Sequence, residues 1–199
     1  MPVHKNILIA GVGGQGILTI AAIIDHAAMQ QGLYLKQAEV HGMSQRGGAV
    51  QSHLRLSDQP LYSDLIPLGR ADLIISLEPM ETLRYLPYLS NNGIVITATK
   101  PVVNIPDYPE TDKILEEIRL HCPNHLFVDA DQLALDAGSP KSVNVVMVGA
   151  AAAYTGIDGE QLQQSIRSLF LPKGEKIAEI NARAYQLGNA LITNNKPSI

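Results

Sequence analysis

Two stretches of this sequence hold residue types, at spacings, that could do chemistry. The first is Gly11-Val12-Gly13-Gly14-Gln15-Gly16, which closes an apolar run and opens a helix-like one. Glycines there let the backbone take positive φ and approach a ligand closely. The start of the following helix offers free N–H groups and partial positive charge to an anion. A dinucleotide fingerprint also needs an acidic residue about 20 positions further on, at the end of a second strand, and Glu39 suits that role. The same glycines serve tight strand–helix packing with no ligand at all, and both readings stand open. Gln15 is unusual for plain packing, because its amide can both donate and accept beside the turn.

The second stretch runs from Glu39 to Gly48. It places a carboxylate (Glu39), an imidazole (His41), a hydroxyl (Ser44), an amide (Gln45) and a guanidinium (Arg46) close together, with Gly42, Gly47 and Gly48 between and after them. A loop leaving the carboxyl end of a strand sits where open α/β sheets bind ligands. Arg46, followed by Gly47 and Gly48, suits a carboxylate or phosphate. The plain alternative is a solvated loop in which Arg46 pairs with Glu39.

Other candidates carry less. His121-Cys122-Pro123-Asn124-His125 offers two imidazoles and a thiol, but the reach is short, Pro123 intervenes and no fourth ligand is in sight. Ser44 lies in no Gly-x-Ser-x-Gly elbow. His26 and His53 read as ordinary polar positions in a helix and a strand. Asn144 opens a run of small residues suited to close packing of a helix on a sheet. Ile177, Ile180, Ala184, Leu187 and Leu191 form a helical stripe, either core or a partner-facing surface. We therefore expect no catalytic residue and no metal site in this chain alone.

These segments need elements to position them. Apolar runs predict strands over 6–10, 33–38, 71–77, 94–98 and 126–129, and an alternating strand over 49–56 that returns as a hairpin over 61–66. Helical spacing predicts helices over 17–31, 79–89, 111–121, 130–137, 142–154 and 159–192, the last broken near Pro172. Gly32 is the expected C-cap of the first helix and Thr111 the N-cap of the third. Strand–helix–strand at the start reads as a βαβ unit, and Asn91-Asn92-Gly93 as a turn. The expected fold is one α/β domain over 1–199: a three-layer Rossmann-like sandwich with a mostly parallel, mixed sheet and C-terminal helices.

Composition narrows the partners. The net charge is −4 and Lys and Arg form no run, which argues against nucleic acid. Charged residues make up only 17%, against the usual quarter or so, which hints at faces buried on another subunit. The one cysteine cannot hold an iron–sulfur cluster or make an internal disulfide, and it fits a reducing compartment. No apolar run approaches the ~20 residues of a membrane span. The N-terminal residues lack a signal-peptide pattern, so a cytoplasmic location is expected.

Taken in chain order, four segments resemble one family. They are Gly11-Val-Gly-Gly-Gln-Gly16, Glu39-Val-His-Gly-Met-Ser-Gln-Arg-Gly-Gly48, Ala71-Asp-Leu-Ile-Ile-Ser-Leu-Glu-Pro79 and Asn144-Val-Val-Met-Val-Gly-Ala150. Together they look like the gamma subunit or domain of the 2-oxoacid:ferredoxin oxidoreductases, which act on pyruvate, ketoisovalerate or indolepyruvate. The Gly-Met-Ser-Gln-Arg-Gly-Gly form most resembles the beta subunit of the indolepyruvate enzyme.

The resemblance implies a hetero-oligomer that uses thiamine diphosphate, magnesium and iron–sulfur clusters. It would convert an aryl pyruvate and coenzyme A to arylacetyl-CoA and carbon dioxide and reduce ferredoxin. None of those cofactors is expected on this chain. It has one cysteine, and Gly156-Ile157-Asp158-Gly159 does not continue into the Asn-Asn of a thiamine diphosphate motif. A large alpha subunit would carry them. Gly13, Gly14, Gln15, Gly16, Glu39, His41, Ser44, Gln45, Arg46, Gly47, Gly48 and Asn144 are then the expected ligand, anion or interface contacts. A stand-alone dinucleotide-binding oxidoreductase and a small-molecule-binding protein remain as alternatives.

Overall fold

The computed structural model describes residues 3–40 and 47–194, so the expected contacts His41, Ser44, Gln45 and Arg46 lie outside the described residues. The N-terminal apolar run is β1 (His4–Val12), and the glycine turn leads into α1 (Ile17–Gln30). Gly32 follows the C-cap in the left-handed region at φ 75°, as expected for a glycine that stops a helix. Next come β2 (Tyr34–Val40), β3 (Ala49–Ser57), β4 (Ala71–Ser76), α2 (Pro79–Tyr85), β5 (Leu89–Ala98), α3 (Thr111–His121) and β6 (His125–Val128). The C-terminal part is helical: α4 (Ala130–Ala137), α5 (Val143–Ala151), α6 (Gly159–Phe170) and α7 (Glu175–Asn194).

Among the described residues the strands form one sheet in the order β2-β3-β1-β4-β5-β6. β1, β4, β5 and β6 are parallel, and β3 runs antiparallel to both of its neighbours. Period-2 alternation splits the strand side chains between two faces. Ile7, Ile9, Leu54, Leu56, Leu73, Ile75 and Ile96 pack with α1, α4, α5, α6 and α7. Leu8, Ala10, Ile74 and Val95 pack with Tyr85 of α2 and Ile114 and Ile118 of α3. This is the three-layer mixed sandwich that the sequence predicts.

Five details differ from expectation. β1 and β2 are not neighbours: β3 returns between them and takes the ladder hydrogen bonds of both. Residues 61–66 form no strand. Their polar groups are held by side chains instead, with Arg55 Nη1 donating to the Ser63 carbonyl at 3.0 Å and the Ile66 N–H donating to His53 Nδ1 at 3.1 Å. Asn91-Asn92-Gly93 is not a turn between elements but an irregularity inside β5, where the register with β4 shifts between Ala71 and Leu73. The α2 helix stops at Tyr85 and tightens into a single 3-10 turn at Leu86–Tyr88, because Pro87 cannot donate a helical hydrogen bond. Finally, α3 has Glu110 rather than Thr111 at its N-cap.

The small-residue run of α5 meets α7 at two glycines. A Cβ on Gly149 would lie 2.1 Å from the Tyr185 carbonyl oxygen, and one on Gly188 would lie 2.1 Å from that of Val146. The two backbones touch there, and only glycine fits on either side. This seats the start of α5, with Asn144, against the glycine turn.

Candidate functional site

The glycine turn and the end of the 39–48 loop are held together by backbone hydrogen bonds. The β1–β3 ladder runs to Val12 opposite Ala49 and then continues past the strand ends. Gly13 N–H donates to the Gly48 carbonyl at 2.9 Å, and Gly47 N–H donates to the Gly13 carbonyl at 3.4 Å. Asn104 adds a clamp from the opposite side, its Nδ2 donating to the Gly47 carbonyl at 2.6 Å. Gly13, Gly14, Gly16, Gly47 and Gly48 therefore share one end of the sheet, the end at which the parallel strands finish and open α/β sheets bind ligands.

Gln15 does its work inside the turn. Its Oε1 accepts the Val12 N–H at 2.7 Å, and its Nε2 donates to the Leu77 carbonyl at 2.8 Å. That amide ties the end of β1 to the end of β4, so an anion beside it would meet backbone N–H groups rather than its side chain. Gly16 is the N-cap of α1 at φ 83° and ψ 33°, a conformation that suits glycine. α1 has no side-chain cap and no acidic residue in its first turn, and α5 begins in the same way. The N-terminus of α1 is thus left uncompensated, with the partial positive charge of aligned peptide dipoles, whereas α5 continues from a 3-10 turn at Pro140–Ser142 whose start is capped by Ser139, and Asn144 takes a first-turn N–H.

Asn144 sits where these ends converge. It is only 9% exposed. Its Oδ1 accepts the Val145 N–H at 2.9 Å. Its Nδ2 lies against Gly16, where a Cβ would come within 2.8 Å of it. A cleft of about 420 Å³ opens here, lined by Gly14, Gln15, Gly16, Lys100, Lys141 and Asn144 among others. Lys100 Nζ binds Asp131 Oδ1 at 2.7 Å, and the hydrogen bond and charge of that carboxylate hold its pKa above the ordinary value. Among the described residues Lys141 has no ion-pair partner. A second cleft of about 400 Å³, mostly apolar, lies on the other side of the turn, against Val12, Ile17, Leu18 and Val50. The glycine turn thus has on one side a cleft holding Lys141 and the Lys100–Asp131 pair, and on the other an apolar one.

Glu39 is elsewhere. It stands near the end of the edge strand β2, accepting from Gln37 Nε2 at 2.9 Å, with β3 between it and β1. Two strand spacings, about 9.5 Å, separate it from the strand that carries the glycine turn. An acidic residue reading a ribose needs β2 beside β1, so the topology removes the second half of the dinucleotide fingerprint.

The His121–His125 cluster turns away from itself. His121 Nδ1 faces the Glu117 carbonyl at 2.9 Å, His125 Nδ1 faces the Cys122 carbonyl at 2.8 Å, and Cys122 Sγ donates to the Asn124 carbonyl at 2.9 Å. Burial pushes the Cys122 thiol pKa up. Among the described residues no group of three His, Cys, Asp or Glu could hold a metal ion. His53 is buried and accepts at Nδ1, and burial lowers its pKa, so it stays neutral.

Sequence reasoning missed Lys100, Lys141, Asn104 and Glu78. The usable signal was position: Lys100 follows a predicted strand and Lys141 precedes a predicted helix, at the end of the sheet where the glycine turn must lie. Asn104 carried no signal, because it lies in an irregular stretch whose path only tertiary contacts decide.

The chain belongs to the pyruvate ferredoxin/flavodoxin oxidoreductase family, which it matches over residues 6–191. It is 39% identical to the indolepyruvate oxidoreductase subunit IorB of Archaeoglobus fulgidus, across 97% of this chain and 98% of that protein. It is 28% identical to the pyruvate/ketoisovalerate oxidoreductases common subunit gamma of Thermococcus kodakarensis, across 88% of this chain and 92% of that one. The fold is similar to the keto/oxoacid ferredoxin oxidoreductase gamma subunit of Geobacter sulfurreducens, with a TM-score of 0.71 at 22% identity over 96% of this chain and 99% of that one. It is also similar to a 2-oxoglutarate:ferredoxin oxidoreductase of Magnetococcus marinus solved with 2-oxoglutarate, coenzyme A and succinyl-CoA bound. There the TM-score is 0.75 at 21% identity, over 96% of this chain and 31% of that chain. No helix among the described residues is long and apolar enough to cross a membrane.

Proposed function

We propose that this chain is the small, single-domain subunit of a cytoplasmic 2-oxoacid:ferredoxin oxidoreductase acting on indolepyruvate and related aryl pyruvates. Full-length likeness to indolepyruvate oxidoreductase subunits supports this choice over the other oxoacids, whose relatives are less similar. The overall reaction consumes the aryl pyruvate and coenzyme A. It yields arylacetyl-CoA and carbon dioxide, and two electrons leave through iron–sulfur clusters to ferredoxin. Thiamine diphosphate, magnesium and the clusters belong to a large alpha subunit, and the isolated chain is inactive.

The observation that carries this chain's own role is the cleft where Lys100, Lys141, Asn144 and the uncompensated N-terminus of α1 face one space. That arrangement suits the phosphates of coenzyme A, and the neighbouring apolar cleft suits its pantetheine arm or the partner's surface. Arg46, on the loop that ends at Gly47, is a further anion contact by its chemistry. Closure of the partner's active site by this loop would keep water from the carbanion-like intermediate.

The test is steady-state kinetics of the anaerobically purified complex carrying Lys141→Ala, Asn144→Ala or Arg46→Ala. Losing one charged or polar phosphate contact costs about 1.5 kcal/mol, so the coenzyme A KM should rise roughly tenfold while the oxoacid KM stays put. An unchanged coenzyme A KM in all three variants would overturn the role. A tagged chain that co-purifies with no iron-containing, thiamine-binding partner would overturn the assignment itself.

A further inference from the structure

We propose that Glu78 is a positioning residue whose buried carboxylate holds the 99–110 segment, and through it the end of the 39–48 loop, in place for the ligand. The inference rests on the reading above that this end of the sheet serves coenzyme A.

Glu78 follows β4 and caps α2. It is 1% exposed, and its Oε2 accepts the Glu81 N–H at 2.8 Å. A cap needs only the short reach of Ser, Thr, Asp or Asn. The longer glutamate brings a second oxygen beyond the cap. Oε1 accepts the Val102 N–H at 3.3 Å and the Tyr108 hydroxyl. A carboxylate this deep is tolerated only when it is hydrogen-bonded, and its donors come from α2 and from two points of one irregular segment.

That segment contains Pro101, Pro106 and Pro109 and forms no helix or strand. Bonds of this kind must fix its path. Glu78 grips it near its start, at Val102, and near its end, at Tyr108. Between those grips Asn104 donates to the Gly47 carbonyl at 2.6 Å. Gly47 and Gly48 in turn exchange hydrogen bonds with Gly13. Hydrogen bonds joined by the short backbone stretch from Val102 to Asn104 therefore link the buried Glu78 carboxyl group to the glycine turn. Pro101 and Val102 also line the cationic cleft, so the same grip shapes its wall.

The experiment uses Asn104→Ala and Tyr108→Phe, with Glu78→Gln compared with Glu78→Ala. Asn104 is exposed, so its loss does not threaten folding, and Tyr108→Phe keeps the ring in place. Hydrogen exchange of the full chain is read at the Gly13 and Gly47 amides, with the Ile74 and Ile96 amides of the central strands as reference. Both variants should speed exchange at Gly13 and Gly47 tenfold or more and leave the reference amides unchanged. Glu78→Gln, which keeps an acceptor at the same reach, should show a smaller effect than Glu78→Ala. In the complex, Asn104→Ala should raise the coenzyme A KM and leave kcat nearly intact. Unchanged exchange at Gly13 and Gly47 overturns the proposal whatever the kinetics. Faster exchange with an unchanged coenzyme A KM supports the brace and overturns the coenzyme A reading of the site.

Discussion

Asp25 should make this protein lose stability as the pH rises through neutrality. It lies on the polar margin of α1, and its Oδ1 is shielded from solvent without a hydrogen-bond partner. Burial first, and the nearby Glu39 carboxylate second, push its pKa from 3.8 up to about 7. Because the folded pKa lies above the unfolded one, the stabilising contribution is complete below about pH 4. It is lost as the pH rises through about 7. Three units at about 1.4 kcal/mol each set an upper bound near 4 kcal/mol, and partial solvent contact brings the expectation to about 2 kcal/mol. Asp25→Asn keeps the shape and removes the charge. Urea unfolding followed by circular dichroism at pH 4.5 and pH 8.5 should find the variant about 2 kcal/mol more stable than the wild type at the higher pH and nearly equal at the lower. The comparison cancels the titrating groups that do not interact with Asp25. The same difference at both pH values would refute the reasoning.

Three further outcomes follow from packing and polar satisfaction. Gly149→Ala drives a methyl group into the Tyr185 carbonyl and should cost about 3 kcal/mol or prevent folding, checked by soluble yield and thermal unfolding. Gln15→Leu leaves the Val12 N–H and the Leu77 carbonyl unpaired and should cost about 2 kcal/mol in urea unfolding. If Gln15 were instead a direct anion contact, the stability would hold and only ligand affinity would fall. Cys122, buried and with its thiol pKa pushed up, should resist iodoacetamide at pH 8 in the native chain and react promptly in urea, as read by mass spectrometry.

Most elements were legible because their hydrophobic period is clear. The helices over 111–121 and 130–137 fall where the spacing puts them, since an amphipathic stripe with polar flanks admits no other period. The misses have local causes. The 61–66 stretch follows an alternating strand and a turn, as the return of a hairpin would, yet Arg55 and His53 capture its backbone groups before a ladder can. Pro87 ends α2 early. The glycine turn and Gly47-Gly48 were readable as ligand-facing segments. Their mutual hydrogen bonds were not, because they depend on which strand lies beside β1.

That last point decides between the two readings of the glycine turn. A turn of this kind after a first strand, with an acid at the end of a second, is the same on paper whether or not a third strand enters between them. Here β3 does enter, antiparallel, and it changes the role of both partners. Glu39 is moved out to the sheet edge beside Gln37, away from any ribose the turn could hold. The space beside the turn is filled instead by the backbone of Gly47-Gly48, brought there by the β3 ladder and clamped by Asn104. Positive charge comes from Lys100 and Lys141, on connections after β5 and α4, rather than from a nucleotide-reading loop after β2. A ligand at this turn therefore meets Lys141 and the Lys100–Asp131 pair on one flank and the Gly47-Gly48 backbone on the other. A nicotinamide dinucleotide at the turn would find no acidic residue there for its ribose, since Glu39 stands at the sheet edge.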